Sequence, residues 1–189
     1  MKKPKLTIEL VPSTSFYKNV RSILPIKEWD KLRKESYIKA KFKCQICGDV
    51  GTNQGYKHKL ECHEIWVYQK GGIQFLKELV SLCPKCHQVK HIGRTIAIGK
   101  GKQAFKHIAN VNEWDLTTVE AYVGSCFQEH KERSKIKWEL NLRVLTEILG
   151  VDKKLIDVGL RKKTLGKPTW KRKKRKKTSG LRKAPSKRK

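Results

Sequence analysis

The chain has 189 residues, which is enough to bury one core but leaves little room for a second. Its 45 Lys and Arg against 17 Asp and Glu give a formal net charge of +28, a balance that points to a polyanionic partner, nucleic acid before membrane. No apolar run approaches the roughly 20 residues needed to span a bilayer, and the basic first ten residues contain no apolar stretch of secretion-signal length, so an intracellular, cytoplasmic protein is expected.

Residues 1–28 hold a strand candidate, Leu6 to Val11, then Pro12, a Ser/Thr turn and Pro25, and read as an extended N-terminal arm. Trp29, Leu32, Ser36 and Ala40 follow at helical spacing, so a helix with Trp29 in the core delivers the chain into the first of two Cys-x-x-Cys knuckles. The knuckles are Cys44 with Cys47 and Cys83 with Cys86. A thiolate pair so spaced fits the tetrahedral angle of zinc, and two pairs close a four-sulfur site with no open position, which holds structure. A redox dithiol would normally show one such pair, and a disulfide framework belongs to an extracellular chain.

Between the knuckles, a polar loop over 48–59 carries His58 as a surface residue. The aromatic and β-branched run around His63 reads as a strand, Gly71 and Gly72 as a turn, and 73–82 as the return strand. A helix starting near Pro84 puts His87 and His91, four residues apart, on one face. The expected unit is a β-hairpin followed by a helix, in which His63, His87 and His91 leave coordination positions open for water and phosphate, as a catalytic metal requires.

Beyond the second knuckle, Ala104, Phe105, Ile108 and Ala109 form one stripe of a short helix, with His107 beside it as a packing residue. Thr117 and Glu120 have the spacing of a capping box for a helix whose apolar face is Val119, Tyr122, Val123, Cys126 and Phe127. Cys126 therefore reads as a buried thiol outside both metal sets. Trp138 to Leu149 is a last apolar segment, with Gly150 as a helix stop. From Arg161 onward there are sixteen Lys or Arg and no Asp or Glu, too polar to order by burial and expected to be disordered. The first 160 residues keep 29 basic against 17 acidic residues, so the body is basic on its own account.

The fold class expected is α+β. A zinc-stabilised module over 29–98 is followed by a helical extension over 99–150 and a basic tail over 151–189. Lys85, Lys90 and Arg94 around the second knuckle, and Lys171, Arg172, Lys173, Lys174 and Arg175 in the tail, are the candidate nucleic-acid contacts, neutralising phosphates without reading base sequence. Nothing in the sequence sets the oligomeric state.

Cys44 and Cys47, then Glu61, His63 and Ile65 in one strand, then Leu82, Cys83, Cys86, His87 and His91, resemble the zinc-clamped branch of the HNH (ββα-metal) nucleases over residues 44–92. Flanking segments, among them Glu9 to Pro12, Asn19 to Arg21, Trp29 to Arg33 and Glu132 to Ser134, resemble an uncharacterised bacterial and phage group of that family over 6–145. The resemblance implies structural zinc on Cys44, Cys47, Cys83 and Cys86. It also implies a catalytic divalent ion on His63, His87 and His91, and DNA, or else RNA, as the partner; three imidazoles favour Zn, Ni or Mn over Mg, although the family uses several. Glu64 stands where most of the family has its general-base histidine, and Glu78 where it has an asparagine. The register preferred makes His63 a ligand and Glu64 the base; the other makes His63 the base and Glu64 a ligand. Two further classes stay open: a zinc-stabilised nucleic-acid binder without chemistry, and a structural nucleoprotein component acting through its tail.

Overall fold

A computed structural model describes residues 4–16 and 19–165 of the chain. Eight helices surround a three-stranded sheet: α1 (Val20–Ile23), α2 (Ile26–Lys39), β1 (Glu61–Gln69), β2 (Ile73–Leu82), α3 (Pro84–Lys90), α4 (Ile92–Ala97), α5 (Gly101–Asn112), α6 (Leu116–Arg133), β3 (Glu139–Asn141), α7 (Arg143–Glu147) and α8 (Lys153–Leu165). The fold is α+β. Among the described residues no helix is long and apolar enough to cross a membrane.

β1 and β2 pair antiparallel from Glu61 opposite Leu82 to Gln69 opposite Ile73, with a bulge that leaves Lys77 as the extra residue between Leu76 and Glu78. Gly71 and Gly72 supply the turn, both at positive φ (88° and 79°), where a side chain is strained. β3 joins β2 in parallel, at Ile73 to Phe75. Side chains alternate across the sheet, so Val80 and Leu82 face a first core while Leu79, Cys62 and Trp66 face a second.

The first core gathers Leu60, Val89, Ile92, Ala104, Ile108, Val119 and Val123 with Leu6 and Ile8. The second gathers Val20, Ile23, Leu24, Trp29, Leu32, Leu76, Leu142, Leu145, Val151 and Ile156. Both ends of the chain thus differ from the sequence reading. The segment over 4–12 joins no strand of the sheet and is packed before the turn over 13–16: Asn112 holds the backbone N–H and C=O of Leu6, and the Tyr122 hydroxyl accepts from the Ile8 N–H at 3.0 Å. At the other end, the tail expected from residue 151 begins with Val151 in the second core and with α8, where Gly159 lies so close to α1 that a Cβ would meet the Ile23 carbonyl oxygen at 1.9 Å.

Two smaller departures have local causes. Asp115, not Thr117, caps α6, accepting from the Thr118 N–H at 2.7 Å and starting the helix at Leu116. The apolar segment before Gly150 splits into β3 and the short α7 because its first residues find an open edge of β2.

Candidate metal centres

The chain meets its first knuckle on leaving α2, where Lys41 and Phe42 both have positive φ (50° and 55°). The Cys44 N–H donates to the Asp49 carbonyl and the Gln45 N–H to the Ser81 carbonyl, which fastens the knuckle to the end of β2. The second knuckle is the start of α3. Cys83 is its N-cap, Pro84 its first residue, and Cys86 lies one turn in. The four sulfurs lie within 4.8 Å of one another, with Cys47 and Cys83 at 3.5 Å. A tetrahedral zinc with bonds near 2.3 Å sets its sulfurs about 3.8 Å apart, so this donor set fits one structural metal ion such as zinc.

Two neighbours of this cluster carried no signal in the spacing. Gln54 Nε2 donates to Cys83 Sγ at 3.3 Å, and His107 Nε2 lies 3.2 Å from Cys86 Sγ. His107, expected only to pack, ties α5 to the cysteines. Cys62 and Cys126 lie outside the cluster. Burial pushes the Cys62 thiol up to about 12 and keeps it protonated.

The second cluster is His63, His87 and His91, whose ligating nitrogens also lie within 4.8 Å of one another. The three rings meet edge to face at centroid distances of 4.7 to 5.2 Å. His63 projects from β1 opposite Val80, His87 from α3, and His91 from the residue that ends α3 and begins α4. Burial first, then the neighbouring His87 and His63, hold the His91 imidazole down at about 3. Burial also lowers His63, against the pull of Glu9. Neutral imidazole is the metal-binding form.

Two carboxylates support these rings. Glu61 contacts His87 Nδ1 with one oxygen and, with the other, His58 Nε2 at 2.9 Å. Glu9 lies 3.3 Å from His63 Nε2 and accepts from the Lys90 ammonium at 2.7 Å. Burial pushes the Glu9 carboxyl up, but His63 and Lys90 outweigh it and leave it below the usual carboxylate range.

The remaining nominated residues divide. Glu64 is not among the imidazoles. It follows His63 on a strand, so it leaves the opposite face, where it accepts from the Val20 N–H at 2.8 Å and from Trp66 Nε1 at 3.2 Å. Burial pushes its carboxyl up to about 7, partly offset by the Arg21 and Val20 N–H groups at the start of α1 and by Trp66. Glu64 is therefore neither base nor ligand in this arrangement. Lys90, nominated for phosphate, is buried, with its ammonium held by Thr7 and Glu9. Lys85 and Arg94 are exposed. Glu78 is at the surface beside Lys77. Lys171, Arg172, Lys173, Lys174 and Arg175 lie outside the described residues.

Comparison with family models, with curated proteins and with solved structures finds no match to this chain.

Proposed function

We propose that this protein is a metal-dependent phosphodiesterase acting on DNA, with a zinc-clamped ββα scaffold of the HNH kind. The observation that carries this reading is the convergence of His63, His87 and His91 beside a separate four-cysteine set, in a chain of net charge +28. Three imidazole nitrogens leave part of a coordination sphere for other ligands, whereas four thiolates leave none. With Glu61 on Nδ1 of His87 and Glu9 on Nε2 of His63, the other nitrogen of each ring is left to hold an ion, the carboxylate–histidine arrangement that fixes tautomer and orientation. A divalent ion there supplies positive charge for a phosphate under attack and for the leaving 3′ oxygen. Exposed Lys85 on α3 and Arg94 on α4 neutralise neighbouring phosphates, and the basic tail adds salt-sensitive, sequence-blind affinity.

A second reading, a zinc-stabilised nucleic-acid binder without chemistry, draws support from Glu64, which lies on the wrong face to accept a proton from an attacking water. A plasmid-nicking assay with added Mn, Ni, Zn or Mg separates the two. The nuclease reading expects cleavage that His87→Ala abolishes and that survives truncation after Leu165. Tight binding with no cleavage under any of these ions would leave the binder.

A further inference from the structure

Between α2 and the first knuckle the chain turns through a corner whose backbone bonds close α2 but whose side chains run against its geometry. Lys41 and Phe42 are consecutive non-glycine residues at φ 50° and 55°. Left-handed backbone costs an L residue roughly 1–2 kcal/mol and is a marked outlier for a bulky side chain. The two residues close α2 in the Schellman pattern, with the Phe42 N–H on the Tyr37 carbonyl and the Lys41 N–H on the Ile38 carbonyl, yet the left-handed position of that motif is usually Gly and sometimes Asn, not Lys followed by Phe. Nor does packing compensate, because Phe42 is 52% exposed and Ile38, one turn earlier, 62% exposed.

The corner is nonetheless fixed. The Lys41 N–H donates to the Ile38 carbonyl, the Phe42 N–H to the Tyr37 carbonyl and the Lys43 N–H to the Ala40 carbonyl, at 2.9 to 3.0 Å. Cys44 then enters the four-sulfur set. Lys39, Lys41 and Lys43 are all exposed, and no acidic residue occurs between Glu35 and Asp49. A pre-positioned aromatic ring set among lysines matches the chemistry of a nucleic-acid strand, whose phosphates meet the ammonium groups while a base meets the ring face.

We infer that the Lys39–Lys43 corner is a nucleic-acid contact in which Phe42 stacks on, or wedges beside, a base and Lys39, Lys41 and Lys43 hold the flanking phosphates. The inference rests on the nucleic-acid partner proposed above, but not on cleavage.

The test uses the full chain, loaded with zinc, and fluorescence anisotropy of a labelled single-stranded DNA oligonucleotide and its duplex. Salt is set at about 0.15 M to limit the contribution of distant charges. Phe42→Gly is expected to weaken binding by about 5- to 150-fold, the range for losing one stacked base, while the melting temperature stays the same or rises because glycine relieves the left-handed strain. Phe42→Trp is expected to restore binding. Lys41→Ala is expected to reduce the salt dependence by about one phosphate contact. Unchanged affinity in Phe42→Gly, with the unsubstituted protein binding, overturns this inference alone. No binding by the unsubstituted protein removes the nucleic-acid reading and this inference with it. If Phe42→Gly releases anionic vesicles but not DNA, the corner serves a lipid surface and the inference fails.

Discussion

At the scale of single residues, Glu9 does the most with the least signal in the sequence. It compensates the Lys90 ammonium, whose side chain is only 4% exposed, and it orients His63. Removing one partner of a buried ion pair leaves an unpaired charge, so Glu9→Ala is expected to destabilise the protein by about 3–5 kcal/mol in a urea titration. Combining Glu9→Leu with Lys90→Met is expected to recover most of that loss, since an apolar replacement for both charges is often neutral. The histidines set a pH dependence. With the folded His91 near 3 and an ordinary imidazole near 6.5, the unfolded chain binds a proton in that window that the folded chain refuses. Stability therefore falls as pH drops from about 6.5, by at most about 1.4 kcal/mol per pH unit for this proton. The lowered carboxyl of Glu9 acts in the same sense at more acidic pH, because its stabilisation is lost as pH falls through its folded value. Denaturant midpoints at neutral and mildly acid pH, with His91→Gln flattening the difference, check this.

At the scale of elements, local rules carried much of the site and long-range packing the rest. The two knuckles, the hairpin and the helix from Pro84 follow from spacing, turn glycines and β-branched content, and the structure has β2 over the expected 73–82. The placement of Glu64 was also legible: adjacent residues on a strand leave opposite faces, so His63 and Glu64 cannot share a site without distorting β1. Lys90 was legible too, since Cys86, Val89 and Lys90 fall at i, i+3 and i+4 and form the buried stripe of α3. Glu9 and His107 were not, because their partners lie 54 and 21 residues away in sequence. The N-terminal segment shows the same limit. Its alternating pattern suggests extended chain but not that Leu6 is fully buried beneath α5 and α6. Leu6→Ala is expected to cost about 2–5 kcal/mol by thermal unfolding, and deletion of residues 1–12 to abolish metal binding by the histidines along with the first core.

At the scale of the whole molecule, two modest cores lie on either face of a three-stranded sheet, the zinc-binding cysteines belong to the first of them, and neither is large. Structural zinc in small domains contributes on the order of 10 kcal/mol, which is folding energy because the site does not exist in the unfolded chain. A strong chelator is therefore expected to lower the melting temperature far more than His87→Ala does, and metal analysis of the purified chain to return zinc even in that variant. Equal effects of the two treatments would mean that the cysteines contribute no more to the fold than the imidazoles.

Cys83, Cys86, His87 and His91 all sit on α3 or at its ends, so one short helix serves both clusters. On the two-metal reading proposed above, loading then has a direction. Sulfur must be filled first, since only an anchored helix can aim its imidazoles, and a titration under limiting zinc should saturate one class of site before the other begins to fill. Under limiting metal the expected product is a chain unfinished at both clusters, not one that is folded and merely short of an ion.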